Sequence, residues 1–250
     1  MTTSTAYDEL GDAYATVRRE DPRLAAFIHA GLGDARSVLN VGAGTGNYEP
    51  TDRYVVAVEP SATMRSQRPA GAAPAIRAYA DALPFDDGAF DAVLSIFSDH
   101  HWPDRGAGLR ELARVASRRV VVLTFEPTFL ASSWLCDYLP GLRAMLPPWG
   151  TAEVAAALGG GDVLVEPVPL PYDCADEFVH TFWRRPEALL APQAADGISL
   201  FRRLPPDDLA SGLARLRADV NSGAWAAANQ DLVGLDQHDL GVRLVVANLT

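Results

Sequence analysis

A short apolar strand runs without a break into three spaced glycines, and this junction constrains the fold more than any other feature. Ser37-Val38-Leu39-Asn40-Val41 is followed directly by Gly42-Ala43-Gly44-Thr45-Gly46. Glycine lets the backbone turn sharply and lets a ligand approach the main chain closely. In open α/β sheets, ligands bind at the carboxyl ends of the strands, where this turn would lie. The spacing is G-x-G-x-G. A dinucleotide loop of the form G-x-G-x-x-G would need glycine at position 47, where Asn47 stands.

The rest of the chain repeats the alternation of strand and helix. Apolar positions at helical spacing over 6–31, Leu24, Phe27 and Ile28 the clearest, predict two short helices, the second beginning at Pro22. Strands are expected at Tyr54–Val58, Ile76–Tyr79, Phe90–Phe97 and Val120–Thr124, with a helix over 106–116 that puts Leu109, Leu112 and Val115 on one face. Strands apolar enough to be covered on both sides, alternating with helices, indicate an α/β fold with a parallel sheet. Beyond residue 125 the pattern loosens. Val163–Val165 reads as a strand, 175–232 as largely helical, and Leu240–Leu249 as a final strand.

Charge excludes one class of partner. The 250 residues carry a net charge of −11, and all 21 basic residues are arginine with no basic run. A polyanion would be repelled, so nucleic acid is not expected as a partner. Cys136 and Cys174 stand far apart and outside any C-x-x-C motif, which predicts free thiols in a reducing compartment. No signal peptide or membrane-spanning run is seen, so a soluble cytoplasmic protein is expected, as monomer or homodimer.

Two acids follow the glycine loop. Glu59 closes the second strand, where a carboxylate can accept from both hydroxyls of a ribose. That serves any adenosine cofactor. Asp81-Ala82-Leu83-Pro84-Phe85, ahead of the fourth strand, narrows the choice, since Asp81 can accept from an adenine amino group while the next N–H donates to the ring. Together VLNVGAGTGNYEP, VVAVEPS, DALPFDDGAFDAVLS and DHHWPDRGAGLRELARV resemble successive motifs of the class I S-adenosylmethionine-dependent methyltransferases, of the type 11 small-molecule kind. The resemblance covers roughly residues 37–125. It implies a Rossmann-like, doubly wound, mostly parallel seven-stranded sheet with an antiparallel last strand and a helical lid insert. It implies S-adenosylmethionine as cofactor, held by Asn40, Gly42, Ala43, Gly44 and Gly46 at the methionine end, Glu59 and Pro60 at the ribose, Asp81 and Ala82 at the adenine, with Phe97 alongside. The sequence departs from the family at Asn40, where Asp is usual, and at Ala116-Ser117-Arg118-Arg119, which replaces a proline-glycine-glycine turn and is expected as a loop variation.

Methyl transfer needs an aligned nucleophile, excluded water and, for a hydroxyl acceptor, a base. His100 or His101, just past the fourth strand in Asp99-His100-His101-Trp102, is the candidate base. No metal site is expected, because adjacent residues rarely converge on one ion. Tyr14 and Arg18, four apart on a predicted helix, share a face and are expected to fold over the cofactor, with Arg18 on its carboxylate and Tyr7 a lesser candidate. About seventy residues separate the last two strands. Their aromatics, with His180 and Trp183 foremost, and Trp134 after the fifth strand, are the candidate substrate contacts. Glu126 and Asp173 are lesser candidates to orient a substrate. The expected organisation is an N-terminal cap over 1–36, a cofactor-binding core over 37–125, a lid and substrate-cap region over 126–238 including a strand near 162–168, and a final core strand over 239–250. A cofactor-binding relative without methyl transfer, such as a cyclase or regulator, is the alternative. A nicotinamide oxidoreductase is disfavoured by the glycine spacing.

Overall fold

The computed structural model describes residues 18–159, 162–191, 198 and 200–249. Tyr7 and Tyr14 lie outside the described residues. Strands β1 (Ser37–Val41), β2 (Tyr54–Val58), β3 (Ala75–Ile76), β4 (Phe90–Ile96), β5 (Ala116–Phe125), β6 (Asp162–Pro167) and β9 (Val242–Asn248) form one sheet in the order β3-β2-β1-β4-β5-β9-β6. The first five pair in parallel, and β9 is antiparallel to both of its neighbours. This is the expected seven-stranded sheet with an antiparallel last strand. β7 (Leu170–Pro171) and β8 (Gln237–His238) form a separate ribbon.

Successive strand residues face opposite sides, and that period of two builds the two cores. Val121, Leu123, Leu244 and Val246 pack with Leu24, Ile28 and Leu32 of α1 (Pro22–Leu32) on one face. Val120, Val122 and Val245 pack with Leu109, Leu112 and Val115 further along the chain on the other. Those three come from one helix. Helix α1 starts at Pro22, as expected, with Asp21 capping the N–H of Arg23. The short α2 (Ala62–Ser66) is capped by Ser61 and α3 (Arg105–Val115) by Asp104. Beyond β5 come short helices at Pro127–Ala131, Leu135–Tyr138 and Gly141–Met145, then one at Thr151–Ala157, and after β6 a long one at Pro206–Ser222. Leu130, Leu139, Leu142, Phe182, Phe201, Leu216 and Trp225 give these segments a third apolar core of their own.

Three expectations need correction. The third strand is Ala75–Ile76 only, because Tyr79 turns back to pair with Ala82. Ala116–Arg119 is not a loop. Ala116 leaves α3 in an extended conformation and pairs with Phe90, so helix passes directly into strand. Phe27 is exposed, while Leu24 and Ile28 are buried. Both cysteines are free and buried. Among the described residues no helix is long and apolar enough to cross a membrane.

Candidate functional site

A cleft of about 360 Å³ opens at the carboxyl ends of β1, β2 and β4. The glycine loop forms its floor. The N–H groups of Gly42 and Ala43 donate to Val58 O at 2.9 and 3.0 Å, folding the loop across the end of β2. Gly44 N–H donates to Glu59 Oε2 at 2.8 Å, and Ser61 N–H to Oε1 at 2.8 Å. Burial raises the Glu59 carboxyl above its usual range, opposed by these two backbone donors. Each carboxylate oxygen keeps a lone pair beyond the one its N–H uses.

Arg18, Asn40, Gly42, Ala43, Gly44, Glu59, Pro60, Asp81, Phe97 and His101 all line this cleft. Ala82 and Gly46 do not. The N–H of Ala82, expected to meet an adenine ring, donates instead to Tyr79 O at 3.2 Å. Gly46 faces Arg68 and Ala72. Arg18 lies at the cleft, but two of its nitrogens donate to Asp176, at 2.5 and 3.0 Å, with the guanidinium over Phe178 and Phe97. Asp176 also accepts from Tyr48 Oη at 2.8 Å. This fully buried acid ties the insert to the glycine loop. Sequence reasoning missed it, as it missed the lining residues Tyr79, Ser98 and Trp102.

The two histidines part company. His101 lines the cleft and is exposed to it, whereas His100 turns away to pack edge-on against Phe125 at 5.6 Å. The rings lie 3.9 Å apart. The surrounding protein wall, and then the charge that His100 carries when protonated, hold His101 well below the usual imidazole value. It is therefore neutral near pH 7 and able to accept a proton. Asp99 sits behind the pair, fully buried, accepting from Arg105 Nε at 2.8 Å and Thr124 Oγ1 at 3.0 Å.

Trp134, His180 and Trp183 come together, but elsewhere. They line a second cavity of about 250 Å³ that shares no lining residue with the first. Between the two runs a stack of rings. Phe97 lies 4.5 Å from Phe125, and Phe125 4.5 Å from His180, each pair nearly parallel. Burial pushes His180 down to about 3. A histidine held neutral contributes stability that is present above its unfolded value, roughly 6.5, and is lost as pH falls below it. His180→Phe keeps the ring stack and removes that penalty. The fall in thermal midpoint between pH 7 and pH 5 is expected to be smaller in the variant; an equal fall would place the acid sensitivity elsewhere. Glu126 and Asp173 hold structure. Glu126 accepts from the N–H and hydroxyl of Thr151, and Asp173 pairs with Arg23 at 2.7 Å.

Two observations bear on whether a cofactor fits the first cleft. Among the described residues a Cβ added at Gly44 meets nothing within 4 Å, so the loop backbone there faces open space. Asn40 Oδ1, a buried atom in a residue that lines the cleft, has no hydrogen-bond partner among the described residues. A polar ligand lying against the loop satisfies both.

The strand order, the glycine loop and the acid at the end of β2 define a Rossmann-like fold of the methyltransferase type. A model described as a methyltransferase domain matches residues 39–123. The crystal structure of a putative methyltransferase from an antibiotic biosynthesis pathway of Anabaena variabilis superposes with a TM-score of 0.85 at 31% identity, covering 93% of this chain and 99% of that one. The chain belongs to the class I S-adenosylmethionine-dependent methyltransferases. It is 37% identical over 129 residues to a demethylmenaquinone methyltransferase of Mycolicibacterium gilvum, covering 48% of this chain and 55% of that protein. A geranyl diphosphate C-methyltransferase from Streptomyces coelicolor, solved with S-adenosyl-L-homocysteine, shares the fold at 14% identity and a TM-score of 0.52, covering 91% of this chain and 78% of that one. The chain spans about half the length, or less, of the curated relatives it matches.

Proposed function

We propose that this protein binds S-adenosylmethionine in the first cleft and methylates a small molecule, with His101 as the base. The observation that carries the reading is convergence: Asn40 and Gly44 from β1 and its loop, Glu59 after β2 and Asp81 after β3 come from three separate segments and border one cleft at the strand ends. The complex of the Streptomyces relative with S-adenosyl-L-homocysteine supports the choice of cofactor. When bound, the cofactor supplies an electrophilic methyl group. The residues do the rest. Glu59 accepts from ribose hydroxyls, Asp81 from the adenine amino group, and the open backbone at Gly44 admits the methionine end. His101 takes a proton from the acceptor. The net charge of −11 disfavours polyanionic acceptors. We assign the acceptor to the part of the first cleft beside His101, since Trp134, His180 and Trp183 line a separate cavity.

Calorimetry with S-adenosylhomocysteine and NADH tests the cofactor. The first is expected to bind and the second not; the reverse would refute the reading. A mass-shift screen of small molecules with S-adenosylmethionine then tests transfer. Binding with no methylated product from a broad set would favour a non-transferring relative of the fold.

Glu59→Ala and Asp81→Ala are each expected to weaken S-adenosylhomocysteine binding by about tenfold or more, since each removes a charge-assisted contact of roughly 1.5–3 kcal/mol. Unchanged affinity in both would remove this cleft as the cofactor site. Wild-type affinity is also expected to fall on acidification at a higher pH than an ordinary carboxylate would give, because burial raises Glu59.

A further inference from the structure

A buried ion pair stands behind the glycine loop, and the cofactor reading above leaves it unused. Glu49 and Arg68 approach at 2.7 Å with side chains only 7% and 6% exposed. Arg68 donates to both carboxylate oxygens of Glu49 and, through Nη1, to Gly44 O at 3.1 Å. Glu49 Oε2 accepts in addition from Ala73 N–H at 3.1 Å. The remaining contact is the informative one. Asn40 Nδ2 donates to Glu49 Oε1 at 3.1 Å.

A carboxylate only accepts, whereas an amide has one donating and one accepting end. Glu49 therefore selects the orientation of the Asn40 side chain. Nδ2 must face Glu49, and Oδ1, itself buried, is left without a partner among the described residues, in a residue that lines the cleft. Asn40 is fixed at its other end too, because its backbone is held between β2 and β4, opposite Ala57 and Leu94. Aspartate at position 40 would set two carboxylates about 3 Å apart in a low-dielectric interior, where one must keep a proton or be displaced.

We infer that Glu49 is a positioning residue for the cofactor: anchored by Arg68, it fixes the Asn40 amide so that Oδ1 is presented to an N–H donor of the bound cofactor, and it requires an amide at position 40. The inference rests on the S-adenosylmethionine reading of the cleft. Glu49 and Arg68 touch no ligand themselves. Their effect passes through Asn40 and through the Gly44 carbonyl.

The test is a double-mutant cycle on Asn40→Asp and Glu49→Gln, with two readouts: S-adenosylhomocysteine affinity by calorimetry and the thermal midpoint of the ligand-free protein. Each single variant is expected to bind at least about fivefold more weakly, by repulsion in the first and by loss of the anchor in the second. In the double variant the carboxylate and amide have exchanged places, so affinity is expected within about threefold of wild type and the midpoint above both singles. Single losses that simply multiply in the double variant would overturn the inference, as would Asn40→Asp binding as tightly as wild type. Should Asn40→Asp fail to fold, a folded double variant supports the pairing and an unfolded one refutes it. Wild-type protein that does not bind S-adenosylhomocysteine defeats the cofactor reading and this inference with it. Additivity in a protein that does bind defeats the inference alone.

Discussion

Replacing His101 with alanine is expected to lower kcat by about 10²–10⁴ on an acceptor found by the mass-shift screen, with S-adenosylhomocysteine affinity nearly intact. The reason is placement. His101 opens onto the cleft beyond β4, away from Glu59 at the end of β2, and its ring is held neutral by the wall around it. His100→Ala is expected to do less, because that ring packs against Phe125 and does not line the cleft. The pH profile adds a second check. With the His101 value depressed, the wild-type rate should stay level from neutral pH to below about 6.5, the ordinary imidazole value, and fall only at lower pH. A normal kcat in His101→Ala would take the residue out of the mechanism and leave transfer to proximity and alignment.

Gly44→Val is expected to weaken S-adenosylhomocysteine binding by about a hundredfold or more, the largest loss in affinity from any one substitution in the loop. Gly44 has φ +51°, a region that a β-branched residue enters only with strain of roughly 1–3 kcal/mol. Among the described residues the new Cβ meets no atom within 4 Å, so the side chain extends into the open cleft where the cofactor is proposed to lie. Gly42→Val provides the contrast. There a Cβ would lie 1.7 Å from Ser98 Oγ, so the fold itself is expected to fail. Thermal midpoint and affinity together separate the two cases. Tight binding by Gly44→Val would mean that the ligand does not lie along this loop.

The sheet was legible because its signals are local. Runs such as Val38–Val41 and Val120–Leu123 bury nearly every side chain, and the glycines that follow β1 announce the turn. Glu59 was legible for the same reason, since it directly follows β2; Asp81 was legible only through the run Asp81-Ala82-Leu83-Pro84-Phe85, because β3 ends at Ile76 and not at Tyr79. What escaped depends on distant pairings. Asp176 lies 128 positions from Tyr48 and 158 from Arg18, and nothing in the run Asp173-Cys174-Ala175-Asp176-Glu177 marks its fourth residue as the one to be buried. Likewise, adjacent histidines look equivalent in sequence. One residue's rotation about a 3-10 turn at Asp99–His101 sends one ring to the cleft and the other to Phe125. Trp134, His180 and Trp183 do line one cavity together, but its separation from the first cleft by the Phe97–Phe125–His180 stack is a matter of packing that no spacing rule encodes.

The placement of β9 has a consequence for how the protein is made. It is the ninth strand in chain order, yet it lies inside the sheet, joined to β5 over seven residue pairs and to β6 over six. Until it has been synthesised, β5 presents an open edge of Val120–Leu123 and β6 lacks its strand partner, since among the described residues β6 pairs with β9 alone. A ribosome-bound chain can therefore assemble the parallel strands through β5 while translation continues, but it must carry an unpaired apolar edge until residue 248 is free to insert. Truncation ahead of Val242 removes an interior strand, so nascent-chain stability should rise in one step once Val242–Asn248 has been made.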